Sequence, residues 1–317
     1  MMVRKTDRTV TLFGGGGFIG RYVAQALFAR GQRVRIVQRE PRRAVFLKPL
    51  AGIGQMQFAA VDIADADGVA RACEGSDAVI NLVGILKGDF DRVHRVGAGN
   101  VARGAAAAGA EALVHVSAIG ADPQSEARYA RSKGEGEREV REAFPGATVI
   151  RPSVVFGHED NFVNRFAAMT RMLPVIPVVR GAWRIQPVHA ADLGRAIALA
   201  ALDPRSHAGE TYELGGPQVM TMRELTDYIA SATGRGSKAI VEIPDAAGRF
   251  FARAAGWLPA APITWDQWQM MTGDSVASAG ARGFEAFGIS PAPLAAIAEA
   301  WLSAYRRSGR FAAKSPY

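Results

Sequence analysis

The chain has 317 residues, 49% of them hydrophobic, so it can bury a substantial core in one large domain or in a domain with an added lobe, and global disorder is excluded. Its single cysteine, Cys73, excludes an internal disulfide and fits a reducing compartment. The formal net charge of +8 favours an acidic partner or an anionic membrane surface, but no basic block is interleaved with aromatic residues, which argues against nucleic-acid binding.

The first predicted element is an apolar strand, Thr9 to Phe13, which runs straight into the segment GGGGFIG and then into a helix. Its glycines are spaced as GxxGxxG. Residues without a Cβ let the backbone approach a pyrophosphate, and the helix that follows points its first amides at the phosphate charge. A purely structural glycine turn is the alternative. The segment predicted to contact a dinucleotide consists of Gly14, Gly17, Phe18, Ile19 and Gly20.

The end of the second predicted strand, Val34 to Val37, distinguishes the two nicotinamide dinucleotides. An acidic side chain there accepts from the ribose hydroxyls, whereas an arginine pairs with a 2′-phosphate. Arg39 follows this strand, and Arg42 and Arg43 come shortly after it. Glu40 is the alternative ribose acceptor. We therefore predict NADPH (NADP) in preference to NAD.

Further predicted strands alternate with helical stretches through the first half of the chain. This rhythm predicts an α/β fold with a Rossmann-type, doubly wound parallel sheet. The strands are Met56 to Val61, Ala78 to Val83, Leu113 to Val116, and Ala147 to Arg151.

The alternation stops after the sixth strand. We predict a dinucleotide-binding domain over 1–157, to which 183–203 returns, and a smaller C-terminal α/β lobe over 158–317 that binds a substrate or partner. Inside that lobe, Thr221 and Glu224 form the pattern of a capping box, which predicts the start of a helix.

Two strand ends add predicted contacts to the dinucleotide. Asp62, followed by Ile63, stands directly after the third strand, where a carboxylate can accept from the adenine amino group. An N-cap of the next helix is the equally weighted alternative. The fourth strand ends in Leu82, Val83 and Gly84, and the small last residue leaves room for the ribose and pyrophosphate.

Tyr129 and Lys133 lie four residues apart in YARSK, which places both on one face of a helix. An ammonium one turn from a phenol favours the phenolate and can hold the nicotinamide ribose. The tyrosine is therefore a candidate general acid for hydride chemistry. YxxxK also arises by chance, and the preceding dinucleotide pattern is what favours a true pair.

GxxGxxG, NLVG, YxxxK and RPSVVFG stand in the order found in short-chain dehydrogenase/reductases of the extended or atypical branch, which the chain resembles. The resemblance implies that Pro152 and Val154 lie near the nicotinamide. Over nearly its whole length, and most clearly in HEDNFVNRF and TWDQWQMMTGDSVAS, the chain is similar to the dinucleotide-binding accessory subunits of respiratory complex I, the NADH:ubiquinone oxidoreductase. That likeness implies a retained structural NADPH and contacts with peripheral-arm subunits near the quinone site.

One departure from the active relatives weakens the catalytic interpretation. They carry a hydroxyl just past the fifth strand, whereas this chain has Ala118 or Ile119 there and Ser117 at the strand end. Loss of an oxyanion donor costs about 3 to 4 kcal/mol. An alignment shift would make Ser117 that donor. In the family an asparagine of the central helix also joins the proton relay, and His94 stands in its place.

The leading hypothesis is thus a non-catalytic accessory subunit in which Tyr129 and Lys133 are vestigial. The alternatives are a free-standing NADPH-dependent reductase or epimerase that uses this pair, and a nucleotide-reading redox regulator. No histidine spacing suits a metal site. No apolar run approaches the roughly 18 to 20 residues of a membrane span, and the first residues lead into a strand, so we expect a soluble cytoplasmic protein, peripheral to the cytoplasmic face of the inner membrane.

Overall fold

A computed structural model describes residues 8–255, 263–307 and 309, which divide into two compact units. Unit 1 draws on Met1–Pro152, Ala190–Leu214 and Ala277–Ser290. Unit 2 draws on Ser153–His189, Gly215–Val276 and Pro291–Tyr317.

In chain order the strands are β1 (Thr9–Phe13), β2 (Arg33–Gln38), β3 (Met56–Ala60), β4 (Ala78–Asn81), β5 (Ala112–Val116), β6 (Thr148–Pro152), β7 (Val155–Phe156), β8 (Ile176–Val179), β9 (Arg184–Ile185), β10 (Val188–His189), β11 (Thr211–Leu214), β12 (Met220–Thr221) and β13 (Ile240–Ile243). The α-helices are α1 (Phe18–Phe28), α2 (Ala66–Cys73), α3 (Ala98–Ala107), α4 (Arg128–Ala143), α5 (Val163–Met172), α6 (Ala190–Leu202), α7 (Pro204–His207), α8 (Met222–Ala232), α9 (Asp245–Ala255), α10 (Trp265–Met270) and α11 (Leu294–Leu302).

Unit 1 is built on a seven-stranded parallel sheet in the order β11-β6-β5-β4-β1-β2-β3. Its middle strands β4 and β5 are buried at every position, as expected for a parallel sheet covered by helices. Side chains of α2, α3 and α4 join the strands in one apolar core, and α1 packs against α6. The predicted doubly wound α/β fold is confirmed.

The fourth strand is shorter than predicted. It stops at Asn81 because the side-chain oxygen of that residue accepts a hydrogen bond from the Val83 amide, at 3.0 Å, and so turns the chain out of the sheet. Leu82, Val83 and Gly84 therefore lie in the loop after β4 and not in the strand.

The units differ from the predicted ranges 1–157, 183–203 and 158–317. Thr211–Leu214 pairs with β6 and extends the sheet of unit 1, although it lies within the range 158–317 predicted for the second lobe. Ala277–Ser290 also belongs to unit 1, where Arg282 forms a bridge with Tyr212. A four-residue strand beside a glycine turn gives little local signal.

The helical segment between β4 and β5 has two parts. Asp91–Gly97 forms a π-helical turn, and α3 continues from it. A Cβ at Gly97 would lie only 2.7 Å from Ile63 Cγ2, so a glycine permits close packing at this point. Single π turns are often found at functional sites, and this one contains His94.

Unit 2 contains three short strand pairs, β7 with β10 and β8 with β13 in parallel and β9 with β12 antiparallel. Apolar residues of α5, α8 and α11 enclose its core. The predicted capping box is confirmed, because Thr221 accepts from the Glu224 amide at 3.1 Å and Glu224 accepts from the Thr221 amide at 2.7 Å. Within the described ranges, no helix has the length and apolar character needed to cross a bilayer.

The segment HEDNFVNRF has a structural role in unit 2. Asp160 is buried, and its carboxylate accepts from the amides of Gly157, at 3.0 Å, and Val163, at 2.6 Å. Asn164 donates to the carbonyl oxygens of His158 and Asp160. These bonds fold the segment into the turn that opens α5, so this part of the resemblance reflects local structure.

Candidate functional site

The glycine turn has the geometry that the pattern predicts. Gly14 follows β1 with a φ of +81°, in the left-handed region. A Cβ at Gly20 would lie 2.5 Å from the Gly15 carbonyl oxygen and closer still to that of Gly14, so only glycine lets α1 pack on the turn. Gly17, the N-cap, has no side chain to bond the first amides of α1, those of Phe18 and the residues after it. Such a helix start is suited to a phosphate.

Gln38, a residue that the sequence pattern did not single out, links β2 to this turn. Its Oε1 accepts from the Gly16 amide at 2.9 Å, and its Nε2 donates to the Glu40 carbonyl oxygen at 2.6 Å. It stands at the strand end, where an acidic residue marks an NAD site. The sequence contains this signal, because Gln38 places a neutral amide where an acidic residue would indicate NAD.

The arginines predicted for a 2′-phosphate lie on the surface directly after β2. Arg39, Arg42 and Arg43 are exposed. The Nε atom of Arg43 is 3.0 Å from the Glu40 carboxylate, an ion pair between two exposed side chains that contributes little to stability. The structure thus pairs Arg43 with Glu40, the alternative ribose acceptor, on the surface after β2.

Asp62 is not the N-cap of the next helix, so that alternative is wrong. Asp65 caps α2 by accepting from the Gly68 amide at 3.1 Å. The carboxylate of Asp62 instead accepts from the Ala64 amide at 2.9 Å and lies 2.8 Å from the Arg92 guanidinium. Its contact with adenine stays a prediction.

The loop after β4 passes between the glycine turn and α4. A Cβ at Gly14 would lie 3.4 Å from the Val83 nitrogen, so the loop lies against the turn. A Cβ at Gly84 would lie 3.3 Å from Lys133 Nζ and 3.7 Å from His94 Nε2. The loop therefore passes close to the predicted catalytic lysine at Gly84.

Tyr129 and Lys133 occupy successive turns of α4, as their spacing predicts. Lys133 is buried, and its ammonium donates to the Val116 carbonyl oxygen at 3.1 Å. Burial lowers the pKa of Lys133 to about 8, an effect that the nearby Glu137 carboxylate opposes. The lysine therefore lies at the carboxyl end of β5, beside the loop after β4.

A closed hydrogen-bond chain surrounds His94. Its Nε2 accepts from the Ile85 amide at 3.0 Å, and its Nδ1 lies 2.9 Å from Ser132 Oγ. Ser132 Oγ donates its proton to the Tyr129 carbonyl oxygen at 2.9 Å, so Nδ1 must carry the proton toward Ser132 and the ring is neutral. Burial, and then the Lys133 charge, lower the pKa of His94 to about 3.

The Tyr129 ring packs in an aromatic cluster with these residues. Its centroid lies 5.3 Å from that of His94 and 6.0 Å from that of Phe90, edge to face in both cases. Phe90 and His94 stack with their centroids 5.5 Å apart. The His94 ring is thus fixed both by packing and by hydrogen bonds at its two nitrogens. Neither Ser132 nor Phe90 was singled out from the sequence, because their roles depend on contacts across about 38 residues of chain.

The end of β5 supplies one buried hydroxyl. Ser117 directly follows the strand, its amide donates to the Ile150 carbonyl oxygen at 2.8 Å, and its Oγ finds no hydrogen-bond partner among the described residues. Buried polar atoms of this kind are rare in native proteins. Ala118 comes next, and the Ile119 amide donates to the Pro152 carbonyl oxygen at 3.1 Å. Ser117 thus carries the unpaired hydroxyl beside Ala118.

His115 is a buried residue of β5. Its Nδ1 lies 3.2 Å from Asn81 Nδ2, and its Nε2 is buried without a partner in the described part of the chain. Burial, followed by the charge of Lys133, lowers the pKa of His115 to about 3. The neutral ring is part of the core beneath the site.

Unit 1 therefore gathers most of the predicted contacts at the carboxyl edge of its sheet. Pro152 ends β6, whereas Val154 lies in unit 2, and its place near the nicotinamide stays a prediction. Three features fit a nicotinamide dinucleotide: the Cβ-free turn, the glycine beside Lys133 and the unpaired Ser117 hydroxyl. Over 8–255, 263–307 and 309, no three His, Cys, Asp or Glu side chains gather as a metal site would require.

Comparison with known proteins shows which family the chain matches. Residues 10–215 match the NAD dependent epimerase/dehydratase family. The chain belongs to that family. Membership confirms the predicted resemblance to short-chain dehydrogenase/reductases at the level of fold and nucleotide-binding class.

Two relatives of the chain carry names of different kinds, one a subunit of a complex and the other a reductase. NADH dehydrogenase (ubiquinone) 1 alpha subcomplex subunit 9, mitochondrial, from Rattus norvegicus, is 35% identical over 295 residues, which cover 90% of this chain and 77% of that protein. Ceramide reductase from Caulobacter vibrioides is 30% identical over 187 residues, 58% of this chain and 57% of that protein. The likeness to the complex I subunit thus extends much further along the chain.

A solved structure has a fold similar to that of this chain. The NADPH-dependent quinone oxidoreductase of Escherichia coli, complexed with NADPH, matches with a TM-score of 0.70 over 90% of this chain and 97% of that one. The two sequences are 20% identical, so the likeness concerns the fold alone.

Proposed function

We propose that the chain is an accessory subunit of the NADH:ubiquinone oxidoreductase that retains NADPH as a structural ligand and performs no turnover of its own. The similarity to the complex I subunit over 90% of the chain supports the assembly. The closed hydrogen-bond chain at His94 supports the absence of turnover, and it is the observation on which the proposal depends most.

The residues that hold the ligand in this proposal line the carboxyl edge of the sheet. The amides at the start of α1 face the pyrophosphate, Lys133 holds the nicotinamide ribose, and Ser117 Oγ gains a partner. A bound nicotinamide dinucleotide supplies a hydride donor or acceptor. The remaining proposed contacts are Gly14, Gly17, Phe18, Ile19, Gly20, Arg39, Arg43, Asp62, Ile63, Leu82, Val83, Gly84, Tyr129, Pro152 and Val154.

The choice of NADPH over NAD rests on the end of β2. Gln38 offers a neutral amide where a carboxylate would repel a 2′-phosphate, and that amide is already bonded to Gly16 and to Glu40. Arg39, Arg42 and Arg43 supply charge that pairs with a phosphate. A site selective for NAD needs the opposite arrangement at this strand end.

The proton path supports the absence of turnover. A carbonyl reduction needs a proton on Tyr129 and a route to replace it, and positioned proton transfer contributes about 10²- to 10⁴-fold to rate. Both nitrogens of His94 are bonded within the protein, so this ring holds a proton in place and does not pass one on. In the alignment that we favour, Ala118 or Ile119 stands where active relatives carry the donor hydroxyl, and a shifted alignment would make Ser117 that donor.

A ligand that is held and not consumed still has a thermodynamic role. At 100 times its dissociation constant, a bound ligand adds about 2.7 kcal/mol to the stability of the folded state. We place the protein with peripheral-arm subunits near the quinone site, peripheral to the cytoplasmic face of the inner membrane, and we assign the partner contacts to unit 2. The name of the relative that matches over 90% of the chain supports the assembly with complex I subunits.

Native purification tests the assembly. We expect the tagged chain, extracted from membranes under mild conditions, to co-elute with the subunits of NADH:ubiquinone oxidoreductase and to carry NADPH. A tagged chain that runs alone through gel filtration from the same extract, while the complex migrates intact without it, contradicts the proposal.

A free-standing NADPH-dependent reductase is the second candidate. Two buried groups favour this candidate, the Lys133 ammonium and the Ser117 hydroxyl that has no partner. The 30% identity to a ceramide reductase over part of the chain also favours it. Steady NADPH oxidation with a quinone, aldehyde or nucleotide sugar, abolished in Tyr129→Phe, would establish this candidate.

A further inference from the structure

Four charged side chains of unit 1 lie in its interior or at the edge of it, on α4, β6 and β11. Lys133 and Glu137 are buried on successive turns of α4. Arg151 on β6 and Glu213 on β11 are partly buried, with side chains 27% and 12% exposed. Removing a charge from water is costly unless a partner compensates for it, so the pairing of these four groups decides which charge is in excess.

Arg151 joins the two carboxylates. Its Nε and one terminal nitrogen donate to the two oxygens of Glu137, at 2.9 and 2.7 Å, in a bidentate pair. Its other terminal nitrogen lies 3.5 Å from Glu213 Oε1. The hydrogen bonds to Glu137 raise the pKa of Arg151 against the effect of burial, so the guanidinium stays charged. We call Glu137, Arg151 and Glu213 the Glu–Arg–Glu triad.

The returning segment Ala277–Ser290 holds the second carboxylate of the triad. Glu213 Oε2 accepts from the Ser278 amide at 2.7 Å, and the Glu213 amide donates to the Arg282 carbonyl oxygen at 3.0 Å. Arg282 in turn pairs with Glu210, with 2.8 Å between its nitrogen and the carboxylate oxygen. Glu213 is thus fixed beside Arg151 by both its backbone and its side chain.

The triad has an excess of negative charge, and Lys133 lies beside it. Two carboxylates and one guanidinium give a net charge of −1. A pair of Glu137 and Arg151 alone would be neutral and would do little for a nearby cation, so Glu213 supplies the excess. Glu137 lies one helical turn after Lys133, and its charge opposes the burial that lowers the pKa of the Lys133 ammonium to about 8.

Charged and titratable groups from several elements surround this ammonium. They are Tyr129, Glu137 and Arg141 on α4, His94 on the π turn, His115 on β5, Arg151 on β6 and Glu213 on β11. The two histidines are neutral near pH 8, because burial and then the Lys133 charge lower the pKa of each to about 3. Arg141 donates to Thr211 Oγ1 at the start of β11. The triad therefore supplies the negative charge that faces Lys133.

We propose that the Glu–Arg–Glu triad is the counter-ion that keeps Lys133 an ammonium, that Glu137 is the positioning residue through which it acts, and that tight NADPH retention requires this charge. An ammonium donates stronger hydrogen bonds to the ribose hydroxyls than an uncharged amine does. The inference rests on the proposed function, in which Lys133 holds the nicotinamide ribose.

The pH dependence of dinucleotide binding tests the triad in the full-length protein. Isothermal titration gives the dissociation constants of NADPH and NADH from about pH 6.5 to 9.5. In the wild type, binding should begin to weaken near pH 8, where Lys133 loses its proton, and then fall by up to about tenfold per pH unit. NADH should show the same onset, because both dinucleotides carry the nicotinamide ribose. Lys133→Met should remove the onset.

Two substitutions in the triad should move this onset to lower pH. Glu137→Gln removes the charge next to Lys133, and we expect a downward shift of about one pH unit or more. NADPH affinity should then change by less than about threefold at pH 6.5 and fall by about five- to tenfold at pH 8. Glu213→Gln leaves the bidentate pair of Glu137 and Arg151 intact, and it should shift the onset by about half a unit in the same direction.

Glu139→Gln is the matched control, because it removes the same charge from the same helix. The Glu139 carboxylate pairs with Arg95 and Arg103, at 3.3 and 3.6 Å, outside the triad. This variant should leave the onset within about 0.2 pH units of the wild type.

Three results overturn the proposal. One is a Glu137→Gln protein that follows the wild-type curve. Another is a Glu137→Gln protein that binds NADPH more weakly by the same factor at every pH, since a merely structural loss does not depend on the proton of Lys133. The third is an equal shift in Glu137→Gln and Glu139→Gln. If circular dichroism shows that Glu137→Gln does not fold, Glu213→Gln decides, and an unshifted onset there refutes the triad.

The same samples separate this inference from the proposed function. Wild-type protein that shows the expected onset but oxidises NADPH with quinones, aldehydes or nucleotide sugars refutes the proposed function and leaves the triad standing. Wild-type protein that retains NADPH without consuming it, with an onset that Glu137→Gln does not move, refutes the triad alone. Protein that binds neither dinucleotide refutes both.

Discussion

The two ends of the candidate site are built in different ways. At the glycine turn, backbone geometry dominates: Gly14 has a left-handed φ of +81°, and a Cβ at Gly20 would collide with the carbonyl oxygens of Gly14 and Gly15. At the other end, hydrogen bonds within the protein occupy the polar groups. His94 Nε2 accepts from the Ile85 amide, and His94 Nδ1 is bonded to Ser132 Oγ.

This difference separates binding from chemistry. The turn can meet a phosphate without any rearrangement, whereas a proton relay through His94 would first require its hydrogen bonds to break. Neutral histidines in low-dielectric surroundings also resist protonation. A site that combines an open binding end with a closed reactive end is suited to retaining a dinucleotide, and the following experiments test that contrast.

Low pH should lower the free energy of unfolding through His94 and His115. The folded-state pKa values of His94 and His115 are lowered from 6.5 to about 3, so below pH 6.5 the unfolded chain binds protons that the folded chain does not. Stability is therefore present above pH 6.5 and is lost as the pH falls toward 3. Between pH 7 and 5 we expect a loss on the order of 4 kcal/mol from the two residues together.

Urea unfolding at pH 7, 6 and 5 measures this loss. His94→Asn should remove about half of it, because one of the two titrating rings is gone. His158→Asn, at an exposed histidine of unit 2, is the control and should leave the slope unchanged. An identical slope in His94→Asn and wild type would show that His94 is not held neutral.

Gly20→Ala should weaken NADPH binding at the glycine turn. The added methyl group would displace α1 from the carbonyl oxygens of Gly14 and Gly15, and we expect NADPH affinity to fall by about 100-fold or more. Gly273→Ala, where a Cβ meets nothing within 4 Å, is the matched control. Isothermal titration with folded protein, verified by circular dichroism, gives the result, and unchanged affinity would remove the glycine turn from the site.

Arg39→Asp tests the preference for NADPH over NADH. Losing a guanidinium and gaining a carboxylate should weaken NADPH by about 30-fold and NADH by less than about threefold, since only NADPH carries the 2′-phosphate. Lys48→Asp introduces the same charge change nearby and should alter both by less than about twofold. Equal loss of both dinucleotides in Arg39→Asp refutes the phosphate assignment.

Two serines near the reactive end should respond in opposite ways. Ser117→Ala removes an unpaired buried hydroxyl, so the ligand-free protein should change by less than about 1 kcal/mol while NADPH dissociates a few times faster. Ser132→Ala breaks the bonds to His94 and Tyr129 and should cost about 1 to 3 kcal/mol in ligand-free protein. Thermal unfolding with and without NADPH compares them, and a reversed order contradicts the assignment.

Local patterns predicted the features that depend on neighbouring residues. β1 has the predicted bounds, the glycine turn follows it, and the Thr221 capping box opens α8. Each depends on residues close in sequence, where propensity and periodicity are informative.

Features that depend on distant contacts were not predictable in the same way. β11 has only four residues and joins the sheet through β6, about 60 residues earlier in the chain. The hydrogen bond between His94 and Ser132 spans 38 residues, and Gln38 reaches back 22 residues to Gly16. The basic segment RRSGRFAAKSPY lies mostly outside the described residues.

Retention without consumption is the central claim, and single-turnover spectroscopy on natively purified protein tests it most directly. Stoichiometric NADPH should remain bound through gel filtration, and its absorbance at about 340 nm should stay constant with quinones, aldehydes and nucleotide sugars, in wild type and in Tyr129→Phe alike. Decay of that absorbance in wild type, absent in Tyr129→Phe, would contradict the account and establish a reductase.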